Sequence, residues 1–354
     1  MSDQKKAHWK LIITVATLAA LGLLIYGLRD EIHEVLTDLG KVNSAALLLM
    51  IPLQIINYDA YVRLYRSFFA ILDEKVQYWP MYKVSTELNF VNQILPSGGV
   101  SGISYFSIRL RGLGVSGSKA TLAQVTKLFL LFVSFQPLLI VGVLLLAARG
   151  HAGSFVMLVA GALITLLIVG TLLGLYIIES RKRISSTLLF LTRLTNGFIH
   201  LFRRHSAETI NLVGAEESFN NLHDNYVILK KNWRALKMPF VHTMVANITE
   251  IAKLYVVYVA FGEFVNVGAV ILAYSVANFA GLISVLPAGI GIYEALMTGV
   301  LVATGIPASL SIPVTIMYRV LSMTLVLVPG YYFYHKAISR GLSPKSSQLG
   351  QKPT

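Results

Sequence analysis

Glu294 and Arg319 are the residues of this chain whose types and positions could do chemistry. Each lies inside a stretch apolar enough to enter lipid, in Gly291-Ile292-Tyr293-Glu294-Ala295 and in Met317-Tyr318-Arg319-Val320. A charge at the centre of a spanning helix costs at least ~2.5–3.5 kcal/mol on insertion scales. Neither residue has an opposite charge nearby in sequence, so each needs a distant partner, and each is a candidate for the other. The pair then either lines a functional cavity or forms a buried structural ion pair. Other polar residues share this setting: Glu87, Asn89 and Asn92; Lys127; Asn247, Glu250 and Lys253; Asn57, Asp59 and Arg63. Asp59 with Arg63 and Glu250 with Lys253 stand four and three apart, the spacing at which helix neighbours neutralise each other. Arg63, Lys127 and Lys253 could also reach an interface along their alkyl stems. Glu87, Asn92 and Glu250 are the candidates for ion coupling or cavity lining.

Two short breaks stand next to these charges. Leu95-Pro96-Ser97-Gly98-Gly99 and Leu286-Pro287-Ala288-Gly289-Ile290-Gly291 each interrupt an apolar run. Each is followed at the same offset by a turn glycine, Gly114 and Gly305. Proline and glycine break helices, and lipid offers the freed backbone groups no partner, so protein or a watery cavity must satisfy them. Paired breaks in two halves of a membrane chain point to a transporter binding site. The glycines either let helices pack closely or aim backbone N–H groups at an anionic headgroup. On the second reading the substrate-binding set is Pro96, Ser97, Gly98, Gly99 and Ser101 at the first tip. At the second tip it is Pro287, Gly289, Gly291, Tyr293 and Glu294, with Arg319. One tip is hydroxylated and the other acidic, which would suit a headgroup bearing phosphate and an amine.

The elements that must position these residues are membrane helices. The chain of 354 residues is 55% hydrophobic and 13% charged, with net charge +13 and no cysteine. Disulfides, thiolate metal sites and cysteine nucleophiles are therefore excluded. About twenty apolar residues cross a bilayer core, and runs near 11–28, 44–64, 119–148, 154–178, 239–262 and 309–335 qualify. This predicts an all-α polytopic membrane protein with about six full crossings. The first run is long for a signal-peptide core and has no cleavage site after it, so it reads as an uncleaved helix.

Basic residues cluster in the N-terminus (Lys5, Lys6, Lys10), in the stretch from Arg181 to Lys237, and in the tail, whereas residues 30–38, read as a loop after the first helix, are acidic. The positive-inside rule then puts both termini and the long loop in the cytoplasm. With those ends fixed, segments 80–112 and 267–304 become re-entrant hairpins that enter from opposite faces. The organisation is a first transmembrane half over 1–178, a basic interfacial loop over 179–238, a second half over 239–335 and a tail over 336–354. It reads as helix, helix, hairpin, helix, with an inverted second copy. The correspondences are slight (Leu95/Leu286, Pro96/Pro287, Gly98/Gly289, Leu110/Leu301, Gly114/Gly305), so two unrelated helix breaks remain the alternative. The positive charge suits anionic lipid at the cytoplasmic loop. No nucleic-acid motif accompanies it. Glu216, Glu217, His223 and Asp224 lack metal-ligand spacing, and no Walker A sequence is present. No catalytic residues, metal or cofactor are expected.

Leu95-Pro96-Ser97-Gly98-Gly99-Val100-Ser101-Gly102 with Arg109-Leu110-Arg111-Gly112, the motif from Leu286 to Glu294, and Tyr318-Arg319 together resemble a known family. It is the flippase-like transmembrane domain of the lysylphosphatidylglycerol synthase (multiple peptide resistance factor) family, over roughly residues 10–335. The resemblance implies movement of a lipid, with aminoacylated phosphatidylglycerol as the family's example. The sequence ends at Thr354, so it implies the flippase-like half without the synthase domain. Ser101 and Ser104 stand where relatives carry more acidic or Arg-bearing versions. The expectation is a bacterial inner-membrane lipid flippase whose partners are phospholipids, with a second copy or a lipid-modifying enzyme as further candidates. The alternatives are a membrane enzyme or a scaffold acting on lipid-linked envelope precursors.

Overall fold

The computed structural model describes residues 25–38, 42–94, 100–148, 153–180, 226–283 and 291–339, with a few isolated positions besides. Pro96, Ser97, Gly98, Gly99, Pro287 and Gly289 lie outside the described residues, as do most of the first apolar run, most of the basic loop and the tail. Ser101 lies in a helix, but its side chain is outside the description.

The described elements are α1 (Arg29–Asp38), α2 (Ser44–Leu47), α3 (Met50–Ile71), α4 (Tyr78–Ile94), α5 (Val100–Arg111), α6 (Gly117–Ala148) and α7 (Ser154–Ile178). A 3₁₀ turn (Trp233–Leu236) then leads into α8 (Lys237–Ala260), α9 (Val267–Ile283), α10 (Ile292–Ala303) and α11 (Ala308–Ser339). Among the described residues, five segments are long and apolar enough to cross a membrane: Ser44–Ile71, Gly117–Ala148, Val156–Ile177, Trp233–Ala260 and Ala308–Ser339. The chain is an all-α multi-pass membrane protein.

Two expectations change. The acidic stretch after the first apolar run is helical, not a loop, because Leu28, Ile32 and Val35 recur at helical spacing. Leu28 and Ile32 join a cluster with Phe90, Met323 and Tyr334. The second helix runs to Ile71, not 64. Its extension carries Tyr65, Phe68 and Phe69, all buried with Met81, Leu88 and Phe106, so packing on α4 and α5 extends it.

The described helices fall into two repeats. The hairpin legs α4 and α5 have 17 and 12 residues, and so do α9 and α10. The helices after them, α6 and α11, have 32 each. Twelve residues of helix rise about 18 Å, short of the ~30 Å hydrocarbon core. The turns after the hairpins share one geometry: Gly114 and Gly305 have φ of 88° and 91°. Val115 N–H donates to Leu110 O at 3.0 Å, and Ile306 N–H to Leu301 O at 3.1 Å.

Packing between the repeats is reciprocal. α4 packs on α11, α9 packs on α6, and α3 packs on α8. Counterparts in α3 and α8 stand 189 residues apart, as the starts of α4 and α9 (Tyr78 and Val267) do, and those in α6 and α11 stand 191 apart, as Gly114 and Gly305 do. The Tyr58 hydroxyl donates to the Leu325 carbonyl at 3.2 Å, while the amide of its counterpart Asn247 donates to the hydroxyl of Ser134, the counterpart of Leu325, at 2.6 Å. Asn57 donates to the carbonyl of Ala246 at 3.0 Å, a residue that is its own counterpart. α3 and α8 run antiparallel there, because Asn43 at one end of the pair bonds the Ala260 carbonyl. A two-fold axis relating antiparallel membrane helices must lie across them, in the membrane plane. That is the inverted form of repeat.

Glu179 closes α7 and takes an ion pair from Lys230. That hydrogen bond, with the lysine charge behind it, holds the exposed Glu179 carboxyl below the usual carboxylate range.

Candidate functional site: a charged cavity at the repeat axis

A cavity of about 300 Å³ lies at the α3–α8 crossing. α3 lines it with Gln54, Asn57 and Tyr61, and α4 adds Asn89, Asn92 and Gln93. From the second repeat come Glu250 and Lys253 of α8, Tyr274 and Asn278 of α9, Tyr293 of α10, and Tyr318, Arg319 and Ser322 of α11. Asn57 is held on the axis by Ala246 O and by Thr249 Oγ1, each at 3.0 Å.

Lys253 is only 1% exposed. Its ammonium donates to Glu250 Oε1 at 2.9 Å and also to the Gln54 side-chain oxygen. The Tyr318 hydroxyl donates to the other Glu250 oxygen at 3.1 Å. The three-residue spacing read from sequence is thus a real pair, built into the cavity wall by a third helix. An ammonium buried this deeply persists only when paired and hydrogen-bonded.

Arg319 and Glu294 meet at 2.9 Å, with side chains 10% and 15% exposed. α10 starts at Gly291, whose φ of 83° turns the chain into the helix. Glu294 accepts the Gly291 N–H at 2.7 Å, which fixes the carboxylate over a positive helix end. The Arg319 guanidinium carbon also lies 4.2 Å from the centroid of the Tyr293 ring. The planar cation therefore has a ring on one face and a carboxylate beside it.

Of the site residues proposed from sequence, Asn92, Glu250, Tyr293 and Arg319 line this cavity, and Glu294 pairs with Arg319 behind it. Glu87 does not line it. Glu87 is 1% exposed and accepts Arg109 Nε at 2.6 Å, Arg109 Nη2 at 3.0 Å and the Tyr105 hydroxyl at 2.8 Å. That bidentate pair ties the two legs of the first hairpin together. Asp59 and Arg63 pair at 2.6 Å on an exposed face, with Tyr78 also donating to Asp59. Lys127 stands inside α6, away from its ends. Its ammonium sits 4.6 Å from the centroid of the Tyr61 ring.

Gln54, Asn278 and Ser322 escaped the sequence reading. A neutral side chain costs far less to bury than a charge, so an apolar run does not single these three out. The cavity charges all belong to the second repeat. The first-repeat counterparts of Glu250, Lys253, Glu294 and Arg319 are Tyr61, Leu64, Ile103 and Leu128.

A second hollow of about 980 Å³ lies between α6, α7 and α8, with leucines, valines and Phe129, Phe132 and Phe240 on its walls. Lys230, Trp233, Arg234 and Lys237 stand at one end of it.

A helical bundle with ion pairs around a cavity between its two repeats defines a polytopic membrane protein. The chain belongs to the family described as the lysylphosphatidylglycerol synthase transmembrane region, which matches residues 10–330. It is similar to three archaeal UPF0104 membrane proteins. With that of Methanocaldococcus jannaschii it shares 23% identity over 91% of this chain and 92% of the relative. With that of Methanothermobacter thermautotrophicus it shares 28% over 38% of this chain, a match that spans 43% of the relative. With that of Pyrococcus horikoshii it shares 22% over 68% of this chain and 72% of the relative.

Proposed function

We propose that this protein is a flippase-like lipid transporter that passes a polar headgroup through the cavity at the repeat axis while the acyl chains stay in the bilayer. The observation that carries this reading is a cavity with two ion pairs, on the two-fold axis of inverted repeats, in a multi-pass membrane protein. Inverted repeats allow alternating access, with one bundle rocking against the other around a fixed site. The large apolar hollow fits acyl chains. Arg234 and Lys237, which line it beside the Glu179–Lys230 pair, suit anionic lipid. Glu250 is the residue proposed for ion coupling, since it lies between an ammonium and a phenol in the cavity wall. The membrane is proposed to be the cytoplasmic one, with the basic ends inside, an arrangement that suits bacterial and archaeal chains alike.

The test is reconstitution into liposomes carrying headgroup-labelled lipids of several classes. Wild-type protein is expected to raise the movement of at least one class above the protein-free rate, and Glu294→Gln to remove the gain. Protein-free rates for every class sink the reading, and a hydrolysis or transfer product replaces it with an enzyme.

Orientation has its own check in this cysteine-free chain. Ser116→Cys and Ala308→Cys sit at counterpart exposed turns. A membrane-impermeant maleimide is expected to reach the first only from the cytoplasm and the second only from outside. Labelling of both from one side would overturn the inverted placement of the hairpins.

A further inference from the structure

Resting on the transport reading of the same cavity, we infer that the headgroup it takes is a polyhydroxyl group, a glycosyl or cyclitol unit joined through phosphate, and not an amine-bearing one. A cationic headgroup would need a carboxylate to receive it. Both carboxylates here are engaged on both oxygens. Glu250 holds Lys253 on Oε1 and Tyr318 on Oε2. Glu294 is paired by charge with Arg319 through Oε1, at 2.9 Å, and accepts the Gly291 N–H on Oε2. These two acids and two bases cancel, so the site offers an ammonium no net attraction.

What remains on the walls is neutral and dense in hydrogen-bonding groups. Five carboxamides line the cavity besides the engaged Asn57: Gln54, Asn89, Asn92, Gln93 and Asn278. Each amide carries a two-donor NH₂ beside a two-lone-pair carbonyl, and a hydroxyl both donates and accepts. Adjacent hydroxyls on a ring are matched by such groups, whereas an ammonium can only donate. Four phenols, Tyr61, Tyr274, Tyr293 and Tyr318, supply flat apolar faces with a polar tip, the surface on which the C–H face of a sugar or cyclitol ring rests.

Two wall atoms point independently to a missing partner. The Gln54 Nε2 and Ser322 Oγ atoms are buried and have no hydrogen-bond partner, and Gln54 is only 3% exposed. Buried polar groups are nearly always satisfied, so an orphan donor on α3 and an orphan hydroxyl on α11, lining one cavity, mark where a guest's oxygens would sit. Arg319, on the same wall, has the charge and the planar donor set that suit phosphate. The volume of about 300 Å³ stands at the lower end of small-molecule sites. It is room for one headgroup and not for a whole lipid.

The experiment measures binding to the purified protein in detergent, separately from transport. Phosphatidylinositol, its soluble headgroup inositol 1-phosphate, lysyl-phosphatidylglycerol, phosphatidylethanolamine and phosphatidic acid are compared by competition. Phosphatidylinositol is expected to bind at least tenfold more tightly than both amine-bearing lipids and phosphatidic acid. Asn92→Ala, at an exposed wall position that should not disturb folding, is expected to weaken phosphatidylinositol binding several-fold and leave phosphatidic acid unchanged. Asn278→Ala should act in the same direction.

Equal affinity for phosphatidylinositol and inositol 1-phosphate would assign a soluble polyol phosphate, and tighter binding of the lipid assigns the lipid. Equal or tighter binding of either amine-bearing lipid overturns the inference, whatever the liposomes show. So does a phosphatidylinositol affinity that both asparagine variants leave intact. If the liposomes move no lipid but the polyol preference holds, transport fails and the assignment of the cavity stands.

Discussion

Arg319→Ala is expected to abolish lipid movement and to cost the protein about 3–5 kcal/mol, the effect of leaving one member of a buried pair alone. The loss has three parts. Glu294 keeps the Gly291 N–H but loses its counter-charge, Tyr293 loses the cation over its ring, and the cavity loses its guanidinium. Thermal unfolding in detergent reads the stability, and headgroup-labelled liposomes read the movement. Arg319→Lys keeps the charge but gives up the planar stack, and should be intermediate in both. Glu294→Gln with Arg319→Met removes the pair together. It should regain most of the lost stability, because no orphan charge remains, and still move no lipid. Wild-type movement by Arg319→Ala would remove the cavity from the mechanism. Wild-type melting of the same variant would show that the pair holds nothing together.

The second large effect concerns the reciprocal packing. A Cβ on Gly268 would stand 2.2 Å from the Gly142 carbonyl oxygen, a backbone atom that cannot swing away. A Cβ on Gly330 would stand 2.5 Å from the Phe90 Cβ. These glycines sit at the two crossings that exchange elements between repeats, α9 on α6 and α11 on α4. Gly268→Val is expected to cost more than the ~1–3 kcal/mol typical of overpacking, because α9 must move bodily off α6. Gly268→Ala should fall within that range. Gly299→Ala is the control: it lies in α10 with nothing within 4 Å of the added atom. Alanine there should stabilise by roughly 0.5–1 kcal/mol through helix propensity. Melting of Gly268→Val at the wild-type temperature would mean that the α6–α9 contact is not close in the folded protein.

Much of the architecture was legible because it depends on local composition. Apolar runs of membrane length and helix-breaking proline and glycine settle where helices start and stop. The helices after each hairpin and the 80–112 and 267–304 segments accordingly emerge within a few residues of where the pattern puts them. The repeat was legible only as a few matched letters, Gly114/Gly305 among them. Its reality rests on exchanged contacts such as Tyr58 on Leu325 and Asn247 on Ser134, and sequence spacing does not encode those.

The charges divide in the same way. Their cost in lipid made Glu87, Glu250, Glu294 and Arg319 conspicuous in the bare sequence, because an intramembrane ion must have a partner somewhere. Pairing three residues apart could be read for Glu250 and Lys253. Which distant residue answers Glu87 could not, and Arg109 takes it into a hairpin brace, away from the cavity. The sequence by itself determined a multi-pass helical membrane protein with two broken segments and a set of ions needing partners, since hydropathy, helix breaking and the cost of desolvation act residue by residue. Only the tertiary structure decided which ions line a cavity and that its remaining walls are amides and phenols. Those facts depend on which faces of six helices, drawn from both repeats, converge beside one axis.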